Sequence, residues 1–156
     1  MQSNEQLSAI LNDLIEINND RVKGYEKAVD ETTIVDIDLH AIFNSMANDS
    51  RGYTADLTHE VIILGGESAT GNTHFGKAHR EWIDGTKSFT KNDRQTILES
   101  CDYEEDTAQK AYTEALSTDM EVDSKIRKIL NDQKACLKMA HNLIKKYRER
   151  PITFNH

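Results

Sequence analysis

The sequence predicts an all-α fold of four long helices, and three observations carry that expectation. Four segments place apolar residues every three or four positions, the spacing of a buried helix face. A single proline (Pro151) and seven glycines in 156 residues leave those segments almost free of helix breakers. Nowhere does a run of β-branched residues alternate with polar ones, as a half-buried strand would require. A chain of this length suits one domain with one core, residues 1–156.

The first helix is expected from Ser3 or Asn4, both good N-cap residues, to Glu31, with its stripe at Leu7, Leu11, Leu14, Ile15, Val22, Tyr25 and Val29. Thr32 to Val35 break the pattern, and Asp36 or Asp38 can cap the second helix. That helix carries Leu39, Phe43, Met46, Tyr53, Leu57, Glu60 and Leu64 and stops at Gly65-Gly66, a strong C-terminal signal. The third, capped by Asp93, carries Leu98, Cys101, Ala108, Tyr112 and Ala115 and reaches Leu116. After a turn at Ser117 to Asp119 the fourth carries Val122, Ile126, Ile129, Cys136, Ala140, Leu143 and Tyr147. Pro151 ends it near Arg150.

Connection lengths set the topology. Short links join the first pair and the last pair of helices, so each pair forms an antiparallel hairpin. The link from Gly65 to Asn92 holds 28 residues, against about 2–8 between ordinary bundle neighbours. Its first part, GGESATGNT, is a flexible loop by composition. Its second part, FGKAHREWIDGTKSF (75–89), predicts a short extra helix that sets Phe75, Ala78, Trp82 and Phe89 against the bundle. Such a link can travel the ~42 Å of a 28-residue helix. The third helix then runs parallel to the second, as in ferritin-like four-helix bundles with one long crossover.

Bulk composition narrows the function classes. A formal charge of −8 repels phosphate backbones and anionic bilayers, so neither nucleic acid nor membrane is an expected partner. No apolar run approaches the roughly 20 residues needed to span a bilayer. The segment MQSNEQLSAI lacks the basic and apolar regions of a secretion signal, and two cysteines do not make a disulfide framework. A soluble, cytoplasmic protein is expected, with a homodimer or an unknown protein as its partner.

The informative feature is a set of polar residues that interrupts each stripe near its midpoint. These are Asn18 on the first helix, Asp49 and Ser50 on the second, Glu104 and Glu105 on the third, and Gln133 on the fourth. Four-helix carboxylate proteins build a di-iron site at that height, from one Glu on each of two helices and Glu-x-x-His on each of the other two. Here Asp49 is followed three residues later by Gly52, and Gln133 by Cys136, so both histidines are missing. Asn18 and Gln133 offer amides where iron needs carboxylates. The expectation is a buried hydrogen-bonded layer with no cofactor, a degenerate site that fixes helix register. Arg21, one turn from Asn18, is a candidate counter-ion for the inward glutamate.

A rival reading keeps iron or another divalent metal on a reduced set drawn from Asp49, Asp56, His59, Glu104, Glu105 and His141. Asp56 and His59 have carboxylate-x-x-His spacing, but they lie beside the core stripe. Lys138 stands where His141 would need a carboxylate, and His141 is expected to be half-exposed. Pairing Glu105 with Gln133 across the last hairpin places Cys101 and Cys136 within a turn of each other, buried and reduced, with Met46 at similar height. No Gly-rich phosphate loop, nucleophile–base pair or HExxH motif is present.

The fragments LNDLIEINNDRVKGYEKA, REWIDGTKSF, ESCDYEEDTAQKAYTEAL and KACLKMAHNLIKKYR resemble an uncharacterised bacterial family of ferritin-like four-helix-bundle proteins, a domain of unknown function. The resemblance runs from about Leu7 to Tyr147. It implies the fold and carries no catalytic residues. The function expected is therefore non-enzymatic, structural or protein-interacting, with a stress-related role by fold analogy. The rival is a metal-binding or ferroxidase-type protein.

Overall fold

The computed structural model describes residues 4–32, 36–70, 94–118 and 122–149. They form four helices: α1 (Asn4–Glu31), α2 (Ile37–Ile63), α3 (Arg94–Leu116) and α4 (Ser124–Glu149). Among the described residues there is no strand. The expected extra helix at 75–89, with Trp82, and the stop at Pro151 fall outside the described residues.

The ends of the helices show why the chain turns where it does. Gly65 has φ +85°, its N–H donates to the carbonyl of Ile62, and the N–H of Gly66 donates to the carbonyl of Val61. Those two bonds are the Schellman closure, which needs a left-handed residue that only glycine adopts cheaply. Gly66 is required for a different reason. A Cβ there would lie 2.8 Å from Ser8 Oγ and 3.2 Å from a Val61 methyl. Asp36 stands at the N-cap of α2 but makes no side-chain cap; its carboxylate instead accepts from Arg94 Nη1 at 3.0 Å. The turn before α4 is longer than the sequence suggests, and Asp123 caps the helix by accepting from the N–H of Lys125 at 2.9 Å.

Side-chain pairs fix helix directions. Arg21 meets Glu105 and Asn18 meets Tyr112, so α1 and α3 are antiparallel. Asn18 meets Ser50 and Asn12 meets Glu67, so α1 and α2 are too. Asp102 meets His141 and Tyr112 meets Gln133 on the antiparallel pair α3–α4. It follows that α2 and α3 are parallel, and the link between them must return along the bundle. The beginning of that return is held by Asn12, whose Nδ2 donates to the carbonyl of Glu67 at 2.9 Å and whose Oδ1 accepts from the N–H of Ala69 at 2.7 Å.

The core falls into two apolar clusters. One gathers Leu7, Leu11, Leu14, Leu57, Val61, Leu130 and Leu137 toward the α1 N-terminal end. The other gathers Tyr25, Leu39, Phe43, Met46, Ile97, Cys101 and Ile144 toward the opposite end. On α4 the inward stripe is Ile126, Leu130, Gln133, Leu137, His141 and Ile144. The expected Cys136 and Leu143 are exposed, and Ile129 is only half-buried. Apolar residues occupy both members of the pairs Ile129–Leu130, Cys136–Leu137 and Leu143–Ile144, so periodicity could not choose between faces 100° apart.

Candidate functional site

Between the two apolar clusters lies a hydrogen-bonded chain that draws on all four helices. It begins at Arg21, which is 1% exposed. Its Nε and Nη2 donate to Glu105 Oε2 at 3.2 and 2.6 Å, and its Nη1 donates to Ser50 Oγ. A guanidinium has no acceptor, so every later direction follows from it. Ser50 donates onward to Asn18 Oδ1 at 3.0 Å. Asn18 Nδ2 donates to the Tyr112 hydroxyl at 2.9 Å and to the Leu14 carbonyl. Tyr112 donates to Gln133 Oε1 at 2.6 Å, and Gln133 Nε2 reaches the carbonyl of Tyr53 at 3.4 Å. Tyr25 donates to the same Glu105 oxygen as Arg21, while its ring lies under the guanidinium, 5.4 Å from its carbon.

Burial alone would push the Arg21 guanidinium down, but the adjacent charge of Glu105 outweighs it and raises the group. Burial pushes the phenols of Tyr25 and Tyr112 above their ordinary range, so both remain hydrogen-bond donors. Burial also raises the Cys101 thiol, with Glu105 and Glu104 adding to it. Glu104 is fully buried beside this chain, and its charge acts on both Arg21 and Cys101.

The structure brings Asn18, Ser50, Glu105 and Gln133 into one network and places Glu104 next to it. The network is taller than a single layer. It spans Asn18 to Tyr25 on α1 and Glu105 to Tyr112 on α3, two helical turns or about 10 Å. Asp49 is exposed and takes no part; its neighbour Ser50 faces inward instead. Tyr25 and Tyr112, core positions by their spacing, are members as well. A tyrosine on a buried stripe signals a hydroxyl that must find a partner, and both do.

The remaining candidates lie elsewhere. Asp56 and His59 are exposed on α2. His141 is buried rather than half-exposed. Its Nε2 lies 2.6 Å from Asp102 Oδ1 and its Nδ1 lies 2.9 Å from Gln109 Nε2. Arg148 donates to the other Asp102 oxygen at 2.5 Å. Burial by itself would raise the Asp102 carboxyl, but the bonds from His141 and Arg148 hold it below its usual range.

Cys101 is buried and Cys136 is exposed, both free. Met46 and Cys101 share an apolar cluster that Cys136 does not join. The expected cysteine neighbours fail for two reasons: Gln133 lies level with Tyr112 rather than Glu105, which moves Cys136 about two turns along, and Leu137 rather than Cys136 takes the inward face of α4. Among the described residues no group of three or more His, Cys, Asp or Glu is placed to hold a metal ion. None of the described helices is long and apolar enough to cross a membrane.

Among curated proteins none matches the sequence. The structure is similar to a solved structure of a Dps1 mutant of Mycobacterium smegmatis, with TM-score 0.78 and 13% identity. That match covers 94% of this chain and 97% of the other. At that identity it shows the fold alone, a ferritin-like four-helix bundle. Residues 6–118 match the family described as Domain of unknown function (DUF2383). The chain therefore belongs to the DUF2383 family, with a ferritin-like fold.

Proposed function

We propose that this is a non-enzymatic ferritin-like protein, structural or protein-interacting, whose mid-bundle network serves the fold rather than a metal. The observation that carries the reading is Arg21. Its fixed positive charge lies among the oxygens of Glu105 and Ser50, at the height where a carboxylate bundle would hold cations. A guanidinium there neutralises a buried carboxylate, as iron would, but it has no redox chemistry and no open coordination position. It also repels any cation brought to the same oxygens. The donor set points the same way, since Asn18, Ser50, Tyr112 and Gln133 are neutral and already bonded to one another.

The rival metal reading draws a reduced set from Asp49, Asp56, His59, Glu104, Glu105 and His141. Three of them are on the outer surface of α2, and both nitrogens of His141 are engaged at the α3–α4 rim. A stress-related role follows from fold analogy. The test is aerobic loading of the purified protein with ferrous iron, followed by metal analysis and a ferroxidase trace. The expected result is no iron retained and no oxidation above buffer. About two irons per chain with accelerated oxidation would establish the rival reading.

A further inference from the structure

α4 carries more apolar surface than the core takes up. Beside its buried stripe, Cys136, Met139 and Leu143 recur at helical spacing on the outside, with Met139 72% exposed and Leu143 38%. Single exposed apolar residues need no explanation, but these three make a continuous ridge. α4 is also the basic element of an acidic protein. Ser124–Glu149 holds eight Lys and Arg against two Asp and Glu, a net +6 in a chain of net −8. Each of the other three helices is net acidic. Lys125 is taken by Glu60 and Lys128 by Asp132. Lys146, one turn beyond Leu143, has no ion-pair partner among the described residues.

Next to this ridge runs the outer edge of α2, across the seam where Gln133 reaches Tyr53 and Lys125 reaches Glu60. That edge reads Ser45, Asp49, Gly52 and Asp56, all exposed at helical spacing. Among the described residues a Cβ built on Gly52 would meet nothing within 4 Å, so a mid-helix glycine, costly to a helix, has no cause among them. A low acidic edge therefore lies alongside a high apolar and basic one.

We infer that the α2–α4 face is an isologous dimer surface, on which the Met139–Leu143 ridge of one copy seats against the Gly52 edge of a second copy. The two strips are complementary in relief and in sign, and a two-fold axis makes both contacts at once. A polyanion satisfies only half of this face. It is attracted to α4 and repelled by Asp49 and Asp56 beside it. A second copy presents positive charge to α2 and negative charge to α4 together.

Sedimentation of the full-length protein tests this, with circular dichroism to confirm folding of each variant. Wild type is expected to be a dimer that weakens as salt is raised. Met139→Glu, and separately Asp49→Lys with Asp56→Lys, should raise the dimer Kd by about tenfold or more. Gly52→Gln is the sharper variant. It fills open space in the monomer, where it favours the helix, yet obstructs the second copy, so it should weaken the dimer without harming the fold. A wild type that stays monomeric at ~100 µM, or a dimer indifferent to all three changes, overturns the inference. So does a monomer retained on DNA or on anionic vesicles at physiological salt, which would assign the ridge to a polyanion.

Discussion

Two charged clusters tie this bundle together, and they differ in what surrounds them. At mid-bundle Arg21 and Glu105 are 1% and 0% exposed, so neither charge can turn to water if its partner is lost. At the α3–α4 rim, Asp102 and His141 are 12% and 7% exposed, but Arg148 reaches 42%. The rim can lose a member and let solvent replace it. The same kind of pair is therefore obligatory in one place and dispensable in the other, because desolvation rather than attraction sets the cost of breaking it.

The largest expected effect is at the closed site. Arg21→Met leaves Glu105 buried without its cation and should cost about 3–5 kcal/mol in denaturant unfolding. Tyr112→Phe removes the hydroxyl that joins Asn18 to Gln133. It should cost about 1–3 kcal/mol, with the denaturant slope unchanged. Arg148→Ala at the rim should cost no more than about 1 kcal/mol, and less in high salt. An equal loss for Arg148→Ala and Arg21→Met would break the comparison.

Acid sharpens it further. The Asp102 carboxyl is held below its usual range by His141 and Arg148 after burial is overcome. Its contribution to stability is therefore complete above the unfolded aspartate value of about 3.9 and is lost as pH falls through the lower folded value. The stability gap between wild type and Asp102→Asn should close in that acid window and stay constant above it. A gap that closes near neutral pH would contradict the assignment. The cysteines give a probe of the same contrast: Cys136 should react at once with a thiol reagent, and Cys101 only as fast as the protein opens.

Much of the fold was legible because the signals that set it are local. Gly65 ends α2 by a left-handed backbone geometry that only glycine takes cheaply, and α1 ends at Glu31 as its pattern does. The crossover was legible from chain length, since a 28-residue link joins two helices that lie parallel.

The site was legible in part. Asn18, Glu105 and Gln133 interrupt otherwise apolar stripes, but the choice between Asp49 and Ser50 rests on which side chain can accept from Arg21 and donate to Asn18 in a closed space. The α3–α4 register was not legible. It depends on Tyr112 meeting Gln133 and Asp102 meeting His141, contacts between residues with no local relation in the sequence. An error of about two turns there brought Cys136 level with Cys101 on paper, and the choice of Cys136 over Leu137 brought it inside.

Arg21 and Glu105 form one obligatory unit at the heart of the bundle. A double-mutant cycle with Arg21→Met and Glu105→Gln, read by calorimetry and denaturant unfolding, tests it most directly. Gln retains an acceptor for Tyr25, and the pair of substitutions removes both partner charges together. Each single change should lose about 3–5 kcal/mol, and the double variant should lose less than either. A double variant whose loss equals the sum of the two would contradict it, because the two groups would then be acting independently.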